Sequence, residues 1–200
     1  MKGLKILIDI NLPEGMESVN PDELNKELED LHIKPNDHDN EILPFQKLSG
    51  IQFELLVFLL LDQSDIISHD KTFLIKASGD KGRDVVCYKD GYINRIVQCK
   101  NYTNNISQPQ ILRELVKVAL HNYLTPYWEN KKLIYEIWTS SDFSEPSQTF
   151  IGEWPQSLNE DDLKSAFKET VEKYKSFENL SWNDCKSLIF PWKSGHLTVG

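Results

Sequence analysis

The sequence predicts an α/β fold. Runs rich in Ile and Val with period-two alternation lie around an Asp90-Gly91 turn, which reads as a strand hairpin. Segments with helical apolar spacing and capping residues stand before and after that hairpin. At 200 residues, 40% hydrophobic and 26% charged, the chain can bury a core without disulfide staples.

The elements follow in order. Leu4 to Ile10 reads as a short strand. Asn20 before Pro21 starts a helix expected to reach about Leu31. Lys34 to Asn40 is a polar linker. His32 and His38 lie near many acids and could suggest a metal, but no ligand spacing repeats and a solvated loop is the reading. Ser49 caps a helix over Gly50 to Asp62 that is apolar nearly all round and therefore expected to be buried. Glu54 interrupts it. A buried carboxylate needs a partner or a metal. Alternatively, Glu54 marks a narrow exposed stripe with Gly50 and Val57. Phe73 to Ala77 is the next strand, Ser78 to Gly82 a tight loop, Arg83 to Tyr88 a strand and Tyr92 to Lys100 another. Pro109 to Tyr123 is a helix with Ile111, Leu112, Leu115, Val118 and Ala119 on its apolar face. Leu133 to Thr139 is a fourth strand. Asn159 or Asp161 caps a helix to about Ser176. The chain divides into an acidic N-terminal appendage (1–45), a core (46–150) and a C-terminal helical extension (151–200). The tail with Trp182 and Trp192 receives no element.

Composition excludes several classes. Leu55 to Leu61 is the longest apolar run, too short to cross a bilayer, so no membrane partner is expected. The amino terminus lacks a secretory pattern, and three cysteines without zinc-like spacing argue against disulfides or a structural zinc. A cytoplasmic location is expected. The net charge of -9 is uneven: residues 71–132 hold 11 bases and 5 acids, a local net of +6. Such a patch can attract phosphates on an acidic chain, although ordinary charge scatter explains it equally well.

The informative stretch is Ser78 to Tyr102. One strand carries Asp84, and the strand after the hairpin carries Gln98 and Lys100 on the same face. Phosphodiester hydrolysis needs such groups. A carboxylate can hold a divalent cation, which activates water, and a lysine can orient that water or stabilise developing charge. Asp84 and Gln98 share a face only if paired hairpin residues have numbers with an even sum. A plain two-residue turn pairs Lys89 with Tyr92 and separates the two side chains. A three-residue loop, Lys89-Asp90-Gly91, or a single bulge is therefore expected. Otherwise Asp84 and Lys100 are edge charges on an ordinary hairpin.

Gly79-Asp80-Lys81-Gly82-Arg83-Asp84-Val85, the hairpin and Val97-Gln98-Cys99-Lys100 resemble the Mrr-like branch of the PD-(D/E)xK nuclease superfamily. Ile106-Ser107 before a helix and Thr139 to Ser144 after a strand continue the likeness, which covers about Ser49 to Ser144. The resemblance implies a restriction-endonuclease-like core with a central mixed β-sheet flanked by helices. It implies Mg²⁺ or Mn²⁺ held by Asp84, Gln98, the Cys99 backbone carbonyl and Glu54 through water, with Lys100 as the catalytic lysine. Gln98 stands where many superfamily members have an acid, and its neutral oxygen binds Mg²⁺ less strongly.

Lys81 and Arg83 suit DNA-backbone contacts. Gln108, Gln110 and Arg113 can touch phosphate from the helix start or remain solvated. Asp80 is a second candidate acid or a turn former. Tyr102, Trp128 and Trp138 can stack on bases, although a strand Trp is more often core. The leading functional expectation is a divalent-metal-dependent endonuclease acting on double-stranded DNA, a restriction or defence effector activated by oligomerisation. By analogy, it is fused to or activated by a larger NTPase-type sensor. Cutting both strands with one site per chain favours a homo-oligomer. The alternative is a catalytically inactive nuclease-fold module for DNA binding or assembly. Action on junctions or RNA also remains open.

Overall fold

The computed structural model describes residues 45–64, 69–76, 81–126 and 133–183, with 12, 16–20, 22–23, 26 and 29 near the amino terminus and 186 near the carboxyl end. The expected strand at Leu4 to Ile10, the linker with His32 and His38, the Gly79-Asp80 turn, Trp128 and Trp192 lie outside the described residues.

Four strands form one sheet in the order β1 (Lys71–Leu74), β2 (Val85–Lys89), β3 (Tyr92–Lys100), β4 (Ile134–Thr139). β1, β2 and β3 pair antiparallel, whereas β3 and β4 are parallel, so the sheet is mixed. A parallel pair needs a crossover, and α2 (Gln108–Leu124) supplies it. Helices α1 (Gly50–Asp62), α3 (Glu145–Gly152) and α4 (Glu160–Lys173) complete the layers. On the outer side of β1, Val19 N–H donates to the Leu74 carbonyl at 2.9 Å, and Ser18 bridges Ile75.

Local sequence explains the helix starts. The Ser49 hydroxyl accepts from Gln52 N–H, and the Gln52 side chain accepts from Ser49 N–H, a reciprocal cap. Asn20 and Glu23 exchange the same pair of bonds after the strand-edge segment. Asn159 accepts from Asp162 N–H at 2.8 Å and opens α4. α3 was not expected. Its signal was present, since Ser144 and Pro146 sit at the cap and first turn.

The two sheet faces have separate cores. Val85, Cys87, Val97 and Cys99 pack with Phe53, Leu55, Val57 and Leu61 of α1. Val86, Tyr88, Ile96, Tyr135 and Ile137 pack with Ile111, Leu115 and Val118 of α2, joined by Leu163 and Phe167 of α4. α1 is less enclosed than its composition predicts: Ile51 and Leu60 are each 51% exposed. Val57 is buried, so the stripe proposed for it beside Glu54 does not exist. Among the described residues, no helix is long and apolar enough to cross a membrane.

Candidate functional site

The hairpin closes with a two-residue turn, Asp90-Gly91, both residues at positive φ. Lys89 pairs with Tyr92 and Tyr88 with Ile93, an odd sum. Cys87 then pairs with Arg95, Val86 with Ile96 and Val85 with Val97, an even sum. A bulge at Asn94 makes the change. It lets Ile93 and Ile96 enter the same core, and it brings Asp84 to the face of Gln98. The bulge, not the longer loop, satisfies the parity requirement.

Asp84 stands just before β2, its N–H donating to the Val97 carbonyl at 2.9 Å. Its Oδ2 accepts from Gln98 Nε2 at 2.5 Å and from the Cys99 N–H at 2.6 Å. Gln98 is 3% exposed, and its Oε1 finds no hydrogen-bond partner among the described residues. An orphaned buried amide oxygen is costly and points to a partner beyond the described residues. Gly82 borders it at φ +72°, where a Cβ would meet Gln98 Oε1 and Lys117 Cε at 3.1 Å each. Only glycine fits that corner without displacing one of them.

Lys100 leaves the same face of β3 as Gln98. Its Nζ lies 2.9 Å from Glu114 Oε1 on α2, and the other oxygen of Glu114 lies 2.9 Å from Lys117 Nζ. Lys117 is 1% exposed. Burial works against the Lys100 charge, but Glu114 outweighs it, and the ammonium pKa ends above its ordinary value. Glu114 and Lys117 were missed in the sequence. The signal was a polar stripe of Gln110, Glu114, Lys117 and His121, spaced four, three and four residues apart on a helix with a broad apolar face.

Glu54 is partly buried on α1, which covers the opposite face of the sheet. Burial, reinforced by the Asp84 and Glu54 charges, raises the Cys99 thiol well above its usual pKa. The Cys99 side chain is core, while its carbonyl lies 3.4 Å from Gln98 Nε2.

The expected DNA-contact residues divide. Lys81 is partly exposed beside Gly82. Arg83 is only 6% exposed, turned inward near Tyr88 and not displayed to a phosphate backbone as expected. Gln108 Nε2 donates to Asp162 at 3.2 Å, and Arg113 pairs with Glu169 at 2.6 Å, both on α4. Gln110 accepts from the Ser107 backbone and hydroxyl, closing the α2 cap. Tyr102 is exposed one residue beyond Asn101, and Trp138 packs against the α1 core.

Among the described residues, no three His, Cys, Asp or Glu side chains cluster as a metal site. The Asp84 carboxylate and the Cys99 carbonyl meet at Gln98 Nε2, while the unsatisfied Oε1 of the same amide faces the Gly82–Lys117 corner, so turning the amide over would bring three oxygens together. This all-oxygen set fits a hard divalent cation such as Mg²⁺ or Mn²⁺.

No curated protein and no solved structure matches the chain. A family model, Mrr_cat, described as restriction endonuclease, matches residues 45–158, and such a domain implies nuclease and hence hydrolase activity. The match runs from the turn before α1 to the segment after α3, over more than half of the sequence, and the chain belongs to that restriction endonuclease family.

Proposed function

We propose that the chain is a divalent-metal-dependent endonuclease that hydrolyses phosphodiester bonds in double-stranded DNA. The observation that carries this reading is the meeting of Asp84 with Gln98, whose Oε1 is buried and unsatisfied among the described residues, with Lys100 two positions further along the same face of β3. Asp84, Gln98 Oε1 and the Cys99 carbonyl would hold Mg²⁺ or Mn²⁺, with Glu54 adding an acid from α1. When bound, the cation supplies Lewis acidity and a more acidic water. Lys100 keeps its proton in this setting and donates toward the phosphoryl group as charge develops there. Lys81 takes a backbone phosphate and sets register. The chain carries a net charge of -9, which weakens non-specific attraction to DNA. Activity therefore depends on clustering, as in a restriction or defence effector that works as a homo-oligomer. Activation by a larger NTPase-type sensor rests on family analogy.

The test is incubation of supercoiled plasmid with the protein in Mg²⁺, Mn²⁺ or EDTA. Cleavage is expected with either metal, none in EDTA, and a loss of about 100- to 1,000-fold with Asp84→Ala or Lys100→Ala. Equal cleavage by those variants would sink the assignment. DNA binding without cleavage under every metal condition would favour the inactive-module reading.

A further inference from the structure

Lys117 is nearly inaccessible, flanked by the buried Val116 and Val118 on a core helix. Taking a charge out of water is costly. A position that needed only packing is better served by Met or Leu. Lys117 is instead tied to the site at two points. Its Cε and Gln98 Oε1 converge on the space above Gly82. Its Nζ takes one oxygen of Glu114, while Lys100 takes the other, each at 2.9 Å. The Glu114 carboxylate thus lies between two ammonium groups, its oxygen toward Lys117 in an ion pair that lacks hydrogen-bond geometry, and the place of the Lys100 ammonium is set from α2.

We propose that Glu114 and Lys117 are positioning residues: a carboxylate clamp, braced by a buried lysine, that fixes Lys100 next to the Asp84–Gln98 pair. The proposal rests on the nuclease reading for its catalytic consequence. Its structural part, that Glu114 sets the position of Lys100, stands without it. The clamp explains why a charged triad is kept inside the α2–β3 interface, and why Gly82 lacks a side chain.

The test uses the full chain with Glu114→Gln and Lys117→Met, alone and combined with Lys100→Met. In Mn²⁺-supported plasmid cleavage, Glu114→Gln is expected to lower kcat about 10- to 100-fold, since sub-ångström placement governs such steps. KM for DNA should stay within about twofold, because ground-state binding is untouched. Lys117→Met should lower kcat in the same direction by a smaller factor. In the Lys100→Met background neither substitution should lower residual cleavage further, because both act through Lys100. A full additional loss in that background overturns the proposal, as does unchanged kcat in Glu114→Gln. Crystal structures of wild type and Glu114→Gln give the second readout. Displacement or disorder of the Lys100 side chain is expected, and an unmoved Lys100 overturns the clamp. If wild type cleaves nothing, the nuclease reading fails by itself, and the position of Lys100 in Glu114→Gln still decides the clamp.

Discussion

Asp84 Oδ2 lies 2.5 Å from Gln98 Nε2 across a hairpin whose two-residue turn alone would send the two side chains to opposite faces. The extra residue at Asn94 reverses that outcome for everything beyond it on β3. One local irregularity therefore places a carboxylate, an amide and a lysine on the side facing α2, and Cys99 in the core beneath α1. The site is a consequence of register more than of loop chemistry.

The Asp84–Gln98 contact is a hydrogen bond only because Gln98 is neutral. Gln98→Glu sets two carboxylates against each other when no cation lies between them. The variant is expected to melt below wild type in EDTA, by about 1–3 kcal/mol of lost stability. Mn²⁺ should raise its melting temperature more than it raises that of wild type, since charged oxygen binds the ion more tightly. Calorimetric titration with Mn²⁺ checks the affinity directly. Weaker binding in Gln98→Glu removes residue 98 from the metal site.

Gly82 has a conformation and a contact that both exclude a side chain. At φ +72° an L-residue costs about 1–2 kcal/mol. A methyl group there also meets Gln98 Oε1 and Lys117 Cε at 3.1 Å. Gly82→Ala is expected to lower stability by about 2 kcal/mol and to disturb cleavage more than a surface change of equal cost. Denaturant unfolding measures the first effect and plasmid cleavage the second. Wild-type behaviour in both would refute the close packing at this corner.

Much of this was legible in the sequence because the signals are short-range. Ser49 with Gln52 and Asn159 with Asp162 are capping pairs within one turn, and β3 begins and ends where its Ile/Val pattern does. The even-sum requirement was also readable, since side-chain alternation leaves only two outcomes. What escaped was tertiary. Glu114 and Lys117 look like ordinary helix-surface charges until α2 is laid on the sheet and both are enclosed. Arg83 looks like a displayed cation until the segment before β2 turns it inward. Gln108 and Arg113 face acids 54 and 56 residues away on α4, a pairing no local pattern encodes.

The alkaline limit of stability follows from the buried thiol of Cys87. Burial, opposed by the neighbouring Thr72 side chain and the Arg95 charge, pushes its pKa from 9.0 up to about 11. Between those values the unfolded thiol loses its proton while the folded one keeps it. The stabilisation is complete below pH 9.0 and is lost as pH rises toward about 11. A shift of this size corresponds to at most about 2–3 kcal/mol. Tyr88, raised by burial from 10.0 to about 12, acts in the same sense at higher pH. Urea unfolding from pH 8 to 11 should show a steeper decline in wild type than in Cys87→Ala, whatever the offset from the lost packing. Parallel curves would show that the thiol does not titrate as its burial requires.

Arg113 offers a direct test of whether α4 restrains a DNA-facing cation. Its partner Glu169 is half exposed, so the pair contributes only about 0–1 kcal/mol to stability. Glu169→Gln should therefore leave the melting temperature nearly unchanged. It should also free the Arg113 guanidinium, in a chain section already carrying a net charge of +6. If Arg113 lies along the path of the duplex, the variant binds DNA about two- to fivefold more tightly at low salt, and the gain fades as salt screens it. Fluorescence anisotropy with a labelled duplex at two salt concentrations reads both effects. Unchanged affinity at low salt would assign Arg113 to the α2–α4 contact alone and take it off the DNA path.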